Sequence, residues 1–330
     1  MTQQVVAIGP ASDTVLRAAV RRIRPRTIVA IGTLGLAAYV LRPQLGRLDD
    51  SVEALRRADW TWLGLCVALS AATYVFSALS VIGSVPEQLP LGATVEAQVA
   101  SSFVNRISPA NVGGMALNVR YLRKAGVESG EAVVGIGLNA VVGVVLHIGL
   151  LAGFAAWTGR RSSSAMHVPA ASALLIGLAV ALAATGAVWT TRWGRRWLRR
   201  RIVPILRQAR ASLVVVARSP RKVADVVGGS LCVTLCYVGA FVAACAAFGG
   251  SAGIPELATV YLGAAALAAA APTPGGLGAM EAALVAGLVA IGTTPGVALA
   301  VTLGYRVATF WLPIVPGWFA FHHLQRHGAI

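Results

Sequence analysis

Charge is what this sequence has least of: 12% of its 330 residues are charged, and Asp plus Glu number 12. An ordinary soluble domain carries about 25% charged residues, so the surface of a soluble fold of this length would go uncovered. The apolar share is 57% and the mean hydropathy +0.73. Strict apolar–polar alternation is also missing, which excludes a transmembrane barrel. What remains is an all-α, polytopic helical membrane bundle forming one integral domain over 1–330.

Catalytic signatures are equally scarce. There is no phosphate-binding Gly-Lys-Ser/Thr loop and no His-Glu-x-x-His. Asp49-Asp50 is the one adjacent acidic pair, too little for the metal cluster of a membrane alcohol phosphotransferase. The four cysteines (Cys66, Cys232, Cys236 and Cys245) lie inside apolar runs. Cys232 and Cys236 share a helix face, but no His or carboxylate flanks them, so they read as small core residues. No metal or cofactor is expected, and the protein reads as a carrier rather than an enzyme.

Positive charge is abundant. Lys plus Arg number 28, for a net charge of +16 and a pI near 11.2. Eleven of these cations lie between Arg192 and Lys222, a stretch without an acid, and five lie between Arg17 and Arg26. Cations beside apolar spans mark the cytoplasmic side and attract anionic lipid headgroups; nucleic-acid binding would need a basic face on a soluble fold.

The apolar runs place spans at 60–83, 131–157, 167–191, 223–248 and 297–321. A shorter run, Thr27–Leu41, follows a basic n-region too long for a cleaved signal. At 1.5 Å per residue it covers about 23 Å and needs Arg26 and Arg42 to snorkel. Whether it crosses the bilayer is left open. The eight tryptophans sit at or just beyond span ends, as interface anchors do. Between Arg192 and Lys222, Leu198, Ile202, Ile205, Ala209, Leu213 and Val216 recur every three or four residues among arginines. That pattern predicts a basic amphipathic linker helix on the cytoplasmic leaflet.

Two stretches do not read as simple spans. Residues 89–124 carry the breaker Ser108-Pro109-Ala110-Asn111-Val112-Gly113-Gly114, and 255–292 carry Ala271-Pro272-Thr273-Pro274-Gly275-Gly276. Proline removes a donor and glycine loosens the backbone, so a helix stops at each. Freed backbone groups at membrane depth are tolerated only within protein or beside a wet cavity, so both stretches are expected to be re-entrant hairpins. Placing the basic stretch and both termini in the cytoplasm sends the first hairpin in from the cytoplasm and the second from outside. The halves 27–157 and 223–321, joined by 192–222, then form an inverted repeat of the kind found in secondary transporters.

Ionisable groups at membrane depth are costly and mark function. Glu281 follows the second breaker, and Arg306 is the one charge in the last span. They read either as a structural ion pair or as the lining of a cavity, and the two readings are compatible. Asn105 and Arg106 precede the first breaker; Asn118, Arg120 and Tyr121 follow it. A guanidinium binds phosphate oxygens in bidentate fashion, which suits Arg106 and Arg120 to a lipid phosphate. The helix starting near Gly114 offers free amides to an anion. Arg123 and Lys124 read as a positive-inside flank, Asn139 and His147 as helix–helix hydrogen-bonding residues, and His322, His323 and His327 as a solvated tail.

The runs SSFVNRISPANVGGMALNVRYLRKAG and PTPGGLGAMEAALVAGL, with YRVATFWLPIVPGW, resemble the lysylphosphatidylglycerol synthase transmembrane-region family. That family includes the flippase half of the multiple peptide resistance factor. The motifs cover about 90 residues, and the hydropathy match extends over 27–325. The resemblance implies movement of phospholipid, such as aminoacylated phosphatidylglycerol or another anionic lipid or glycolipid, between leaflets of the cell membrane. It assigns the cavity to Asn105, Arg106, Pro109, Gly113, Gly114, Pro272, Pro274, Gly275, Gly276, Glu281 and Arg306, with Asn118, Arg120 and Tyr305 beside them. The sequence ends at Ile330 without an aminoacyl-transferase domain, so lysyl-lipid synthesis is not expected and the lipid is open. A membrane-embedded lipid or polyprenyl-carrier transferase with Glu281 as base, and a non-catalytic partner subunit, are the alternatives. A homo-oligomer is compatible with all three.

Overall fold

The computed structural model describes residues 58–108, 112–161, 210–271 and 273–330. The described residues form helices and no strand: α1 Trp60–Gly83, α2 Leu91–Ile107, α3 Val112–Lys124, α4 Ser129–Arg161, α5 Arg210–Arg218, α6 Pro220–Ala247, α7 Ile254–Ala270, α8 Ala279–Ala290, α9 Pro295–Arg306 and α10 Ile314–Arg326. Four helical segments are long and apolar enough to cross a membrane: Trp60–Gly83, Ser129–Gly159, Pro220–Ala247 and Pro295–Arg326. The expected spans at Thr27–Leu41 and 167–191, and residues 192–209 of the linker, lie outside the described residues.

Local chemistry sets the ends. Asp59 caps α1 by accepting from the Thr61 amide at 2.8 Å. Ser219 caps α6 and Pro220 occupies its first turn, where a missing N–H costs nothing. The amphipathic linker therefore does not run on to Lys222. It stops at Arg218, and Lys222 belongs to the spanning helix, where its amine donates to the carbonyls of Ile82 and Glu87, each at 2.9 Å.

The last span also departs from the single helix expected over 297–321. A π-helical turn, Val307–Trp311, separates α9 from α10. The Leu312 amide reaches back five residues to the Val307 carbonyl at 2.9 Å. Pro313 has no N–H to return to Thr309, so the ladder cannot close in α-helical register there.

Neither unusual stretch is one unbroken helix. α2 and α3 pack on each other across the first break, and α7 and α8 across the second. Each of these four helices is shorter, at about 18–25 Å, than the roughly 30 Å hydrocarbon core. In the first stretch α3 starts at Val112, so Gly113 and Gly114 lie in its first turn rather than in the breaker.

α1 packs most extensively on α6. The two are antiparallel, because the Asp59 amide donates to the Ala247 carbonyl while Gly83 lies against Val226. A Cβ on Gly83 would stand 2.6 Å from the Val226 nitrogen, and one on Gly229 would stand 2.7 Å from the Ser80 nitrogen. Two backbones this close admit only glycine, the usual currency of helix pairing in lipid. At the crossing, the Ser80 hydroxyl bonds Ser230 Oγ at 2.8 Å and also meets Asn139.

The remaining packing is reciprocal. α1 meets α2 as α6 meets α7; α3 meets α4 as α8 meets α9; α2 lies on α10 as α7 lies on α4. Both of the last pairs are antiparallel. Glu96 and Gly317's neighbour Phe103 on α2 meet His323 and Gly317 on α10, while His147 and Thr158 on α4 meet Leu262 and Thr259 on α7. Two apolar cores result. The larger joins α1, α6, α7, α8 and α9 around Phe241, Leu262, Leu284 and Val301. The smaller joins the end of α1 to α2, α3, α4 and α10 around Val85, Leu122 and Ala132.

Candidate functional site

The two breaks meet. A Cβ on Gly275 would stand 3.5 Å from Arg106 Cα and 2.5 Å from the Phe310 ring. Gly275 and Gly278 have φ of 59° and 81°, a region closed to most side chains, so the turn into α8 depends on them. Arg106, at the end of α2, reaches into the last span. Its Nε donates to the Phe310 carbonyl at 2.7 Å and its Nη2 to the Thr309 carbonyl at 3.0 Å. Those are carbonyls of the π-helical turn, and Pro313 is what leaves Thr309 available. The Arg106 guanidinium also lies 5.2 Å from the Phe310 ring centroid.

Arg306 stands 4.2 Å from the centroid of the same ring. Its Nε donates to Glu281 Oε1 at 2.6 Å, and the other carboxylate oxygen accepts from the Gly278 amide at 2.7 Å. Glu281 thus caps α8 and holds α9 with one carboxylate. Both charges are more than nine-tenths buried. Among the described residues, Arg306 Nη2 and, in the second break, the Thr273 hydroxyl are buried without a hydrogen-bond partner. Among the described residues, two guanidiniums against one carboxylate leave the junction with a surplus positive charge.

The first break is closed differently. Asn105 Oδ1 accepts from the Gly114 amide at 2.7 Å, and Ser108 Oγ accepts from the Gly113 amide at 3.1 Å. The amides expected to face an anion are therefore already capped. Asn118 accepts from Gln98 at 2.9 Å, tying α3 to α2. Arg120 is exposed on α3. Tyr305 is buried against Phe241 and Tyr261 in the larger core. Pro274 and Gly276 lie in the second turn, the latter packed on Ala268. Pro109 and Pro272 lie outside the described residues.

Other expectations resolve plainly. His147 bonds the Leu262 carbonyl at 3.0 Å, and Asn139 meets Ser80, both helix–helix roles. The solvated histidines sit on a helix: His322 and His323 lie on α10, His327 ends it, His323 and His327 are exposed, and His323 pairs with Glu96 of α2 at 2.5 Å. The four cysteines are free. Sequence reasoning missed Phe310, Thr309 and Thr273. The signal for Thr309 was Pro313, whose missing N–H frees a carbonyl four residues earlier.

This arrangement, in which two broken apolar stretches meet at a buried ion pair, belongs to a helical membrane protein. Residues 18–317 match the lysylphosphatidylglycerol synthase TM region, and the chain belongs to that family. No curated protein matches it.

Proposed function

We propose that the protein moves phospholipid between the leaflets of the cell membrane, as a transporter and not an enzyme. The observation that carries this reading is the pair of unpartnered buried groups, Arg306 Nη2 and the Thr273 hydroxyl, at a positively charged junction of two helix breaks. Burying a donor without a partner costs about 1–3 kcal/mol, more when it is charged. An anionic headgroup entering the junction would supply the missing acceptor. Thr273 and Arg306 hold its phosphate, Glu281 orients Arg306, and the acyl chains stay in the bilayer.

In this reading α2–α3 and α7–α8 are re-entrant hairpins. The reciprocal packing about the antiparallel α1–α6 pair supports an inverted repeat, with entry from opposite faces and rocking of one half on the other. The basic linker and both termini then lie in the cytoplasm, with anionic lipid held by the arginines of 192–218. Of the expected site residues, Arg106, Gly275, Gly276, Glu281 and Arg306 form the centre. Asn105, Gly113, Gly114 and Asn118 act by closing the first break.

The test uses liposomes of phosphatidylglycerol and phosphatidylethanolamine with a trace of fluorescent phospholipid, quenched from outside by dithionite. Reconstituted protein should bring inner-leaflet label within reach of the quencher. Thr273→Val should slow this about fivefold, as losing one hydrogen bond of ~1 kcal/mol does. Quenching equal to that of empty liposomes would overturn the proposal.

A further inference from the structure

A second polar cluster lies away from the junction, where the α1–α2 loop, α4 and α6 come together. Gly135 of α4 sits against this loop: a Cβ there would stand 2.7 Å from Val85 Cγ1 and 2.9 Å from the Ser84 carbonyl. Glu131 lies one helical turn before Gly135, on the same face. It meets the carboxyl group of Glu87 in hydrogen-bonding contact. The backbone of Glu87 is in turn fixed by Lys222 of α6, whose amine donates to the carbonyls of Glu87 and Ile82. Val85 and Ala132, flanking the contact, are wholly buried.

Two ionised carboxylates offer one another acceptors only. Glu87 Oε2 is buried and has no hydrogen-bond partner among the described residues. One proton between the two groups supplies the missing donor and reduces the charge of the pair from −2 to −1, the arrangement known for carboxylate dyads. We infer that Glu87 and Glu131 form a proton-binding site, sharing one proton that ties the α1–α2 loop to α4 beside the first turn of α6. The inference does not depend on the lipid reading.

Charged groups on the described elements packed here are the following. From α6, Lys222 lies beside Glu87, with Asp225 and Arg221 next to Lys222. The acid of α2, Glu96, is committed to His323, and Arg123 and Lys124 at the end of α3 are exposed. Burial first, and the Glu131 charge with it, push the Glu87 carboxyl above its ordinary range, while its own backbone amide and the Lys222 amine oppose them. A carboxyl raised on folding stabilises the fold most at pH below its ordinary value. That contribution is lost as pH rises through the raised value.

Infrared spectroscopy of the reconstituted protein at about pH 6, well above the ordinary Glu value of about 4.3, should show the C=O stretch of a protonated carboxyl. Glu87→Gln and Glu131→Gln should each abolish it, and Glu128→Gln, on the exposed turn nearby, should leave it. The amide of Glu87→Gln donates to Glu131 at every pH, so this variant should stay folded. Its melting temperature should lose the alkaline decline seen in the parent. A band that survives Glu87→Gln, no band in the parent at pH 6, or parallel melting profiles for parent and Glu87→Gln would overturn the inference.

Discussion

The two breaks look alike in sequence, proline and glycine between short apolar helices, yet they end their helices by opposite means. The first satisfies itself: Asn105 and Ser108 cap α3, and Gln98 and Asn118 join its two arms. The second relies on glycines at positive φ and on one carboxylate that serves both α8 and Arg306, and it leaves Thr273 and Arg306 Nη2 unmet. A closed break is a fixed surface, whereas an unsatisfied one is where a ligand changes the free energy most. The Phe310 ring and the Arg106 side chain hold the two together.

The strongest way to break this contrast is to remove Glu281. Glu281→Ala strands a buried Arg306 and uncaps α8, and should cost about 3–5 kcal/mol by thermal unfolding in detergent. If the pair is the source of that cost, Glu281→Ala combined with Arg306→Met should recover part of it. Next comes Gly275→Ala, which places a Cβ in a positive-φ position 2.5 Å from Phe310. Backbone strain alone predicts a loss of about 1–3 kcal/mol, and the ring must also shift. The smallest effect belongs to the self-contained break: Asn105→Ala removes one cap, worth ~1 kcal/mol. It should lower the melting temperature while slowing lipid movement less than Thr273→Val. The reverse order would show the first break to be the more sensitive site.

Much of the fold was legible because the relevant signals are local. Apolar runs located α1 to the residue and α4 and α6 to within four residues at each end, and proline with glycine located both interruptions. Interrupting the last span at Val307–Trp311 was not foreseen, since Pro313 there resembles the prolines that spans tolerate. The site was legible in membership more than in role. Glu281 and Arg306 stand out as charges among apolar residues, whereas nothing in the sequence shows that Arg106 spends two donors on the carbonyls of Thr309 and Phe310. Gly113 and Gly114 read as an open anion cradle and are capped from within nine residues.

The sequence by itself determined that this is a helical membrane protein of its family, where its two short-helix stretches break, and that Glu281 and Arg306 lie among apolar residues. These follow from hydropathy, from a missing N–H and from a missing Cβ, all properties of a residue and its chain neighbours. Only the tertiary structure decided partners: Arg106 with a carbonyl 204 residues away, Glu87 with Glu131, and the antiparallel pairing of α1 with α6. Hydrogen bonds and ion pairs act over about 3 Å, so which groups meet is set by how the helices cross and not by spacing along the chain.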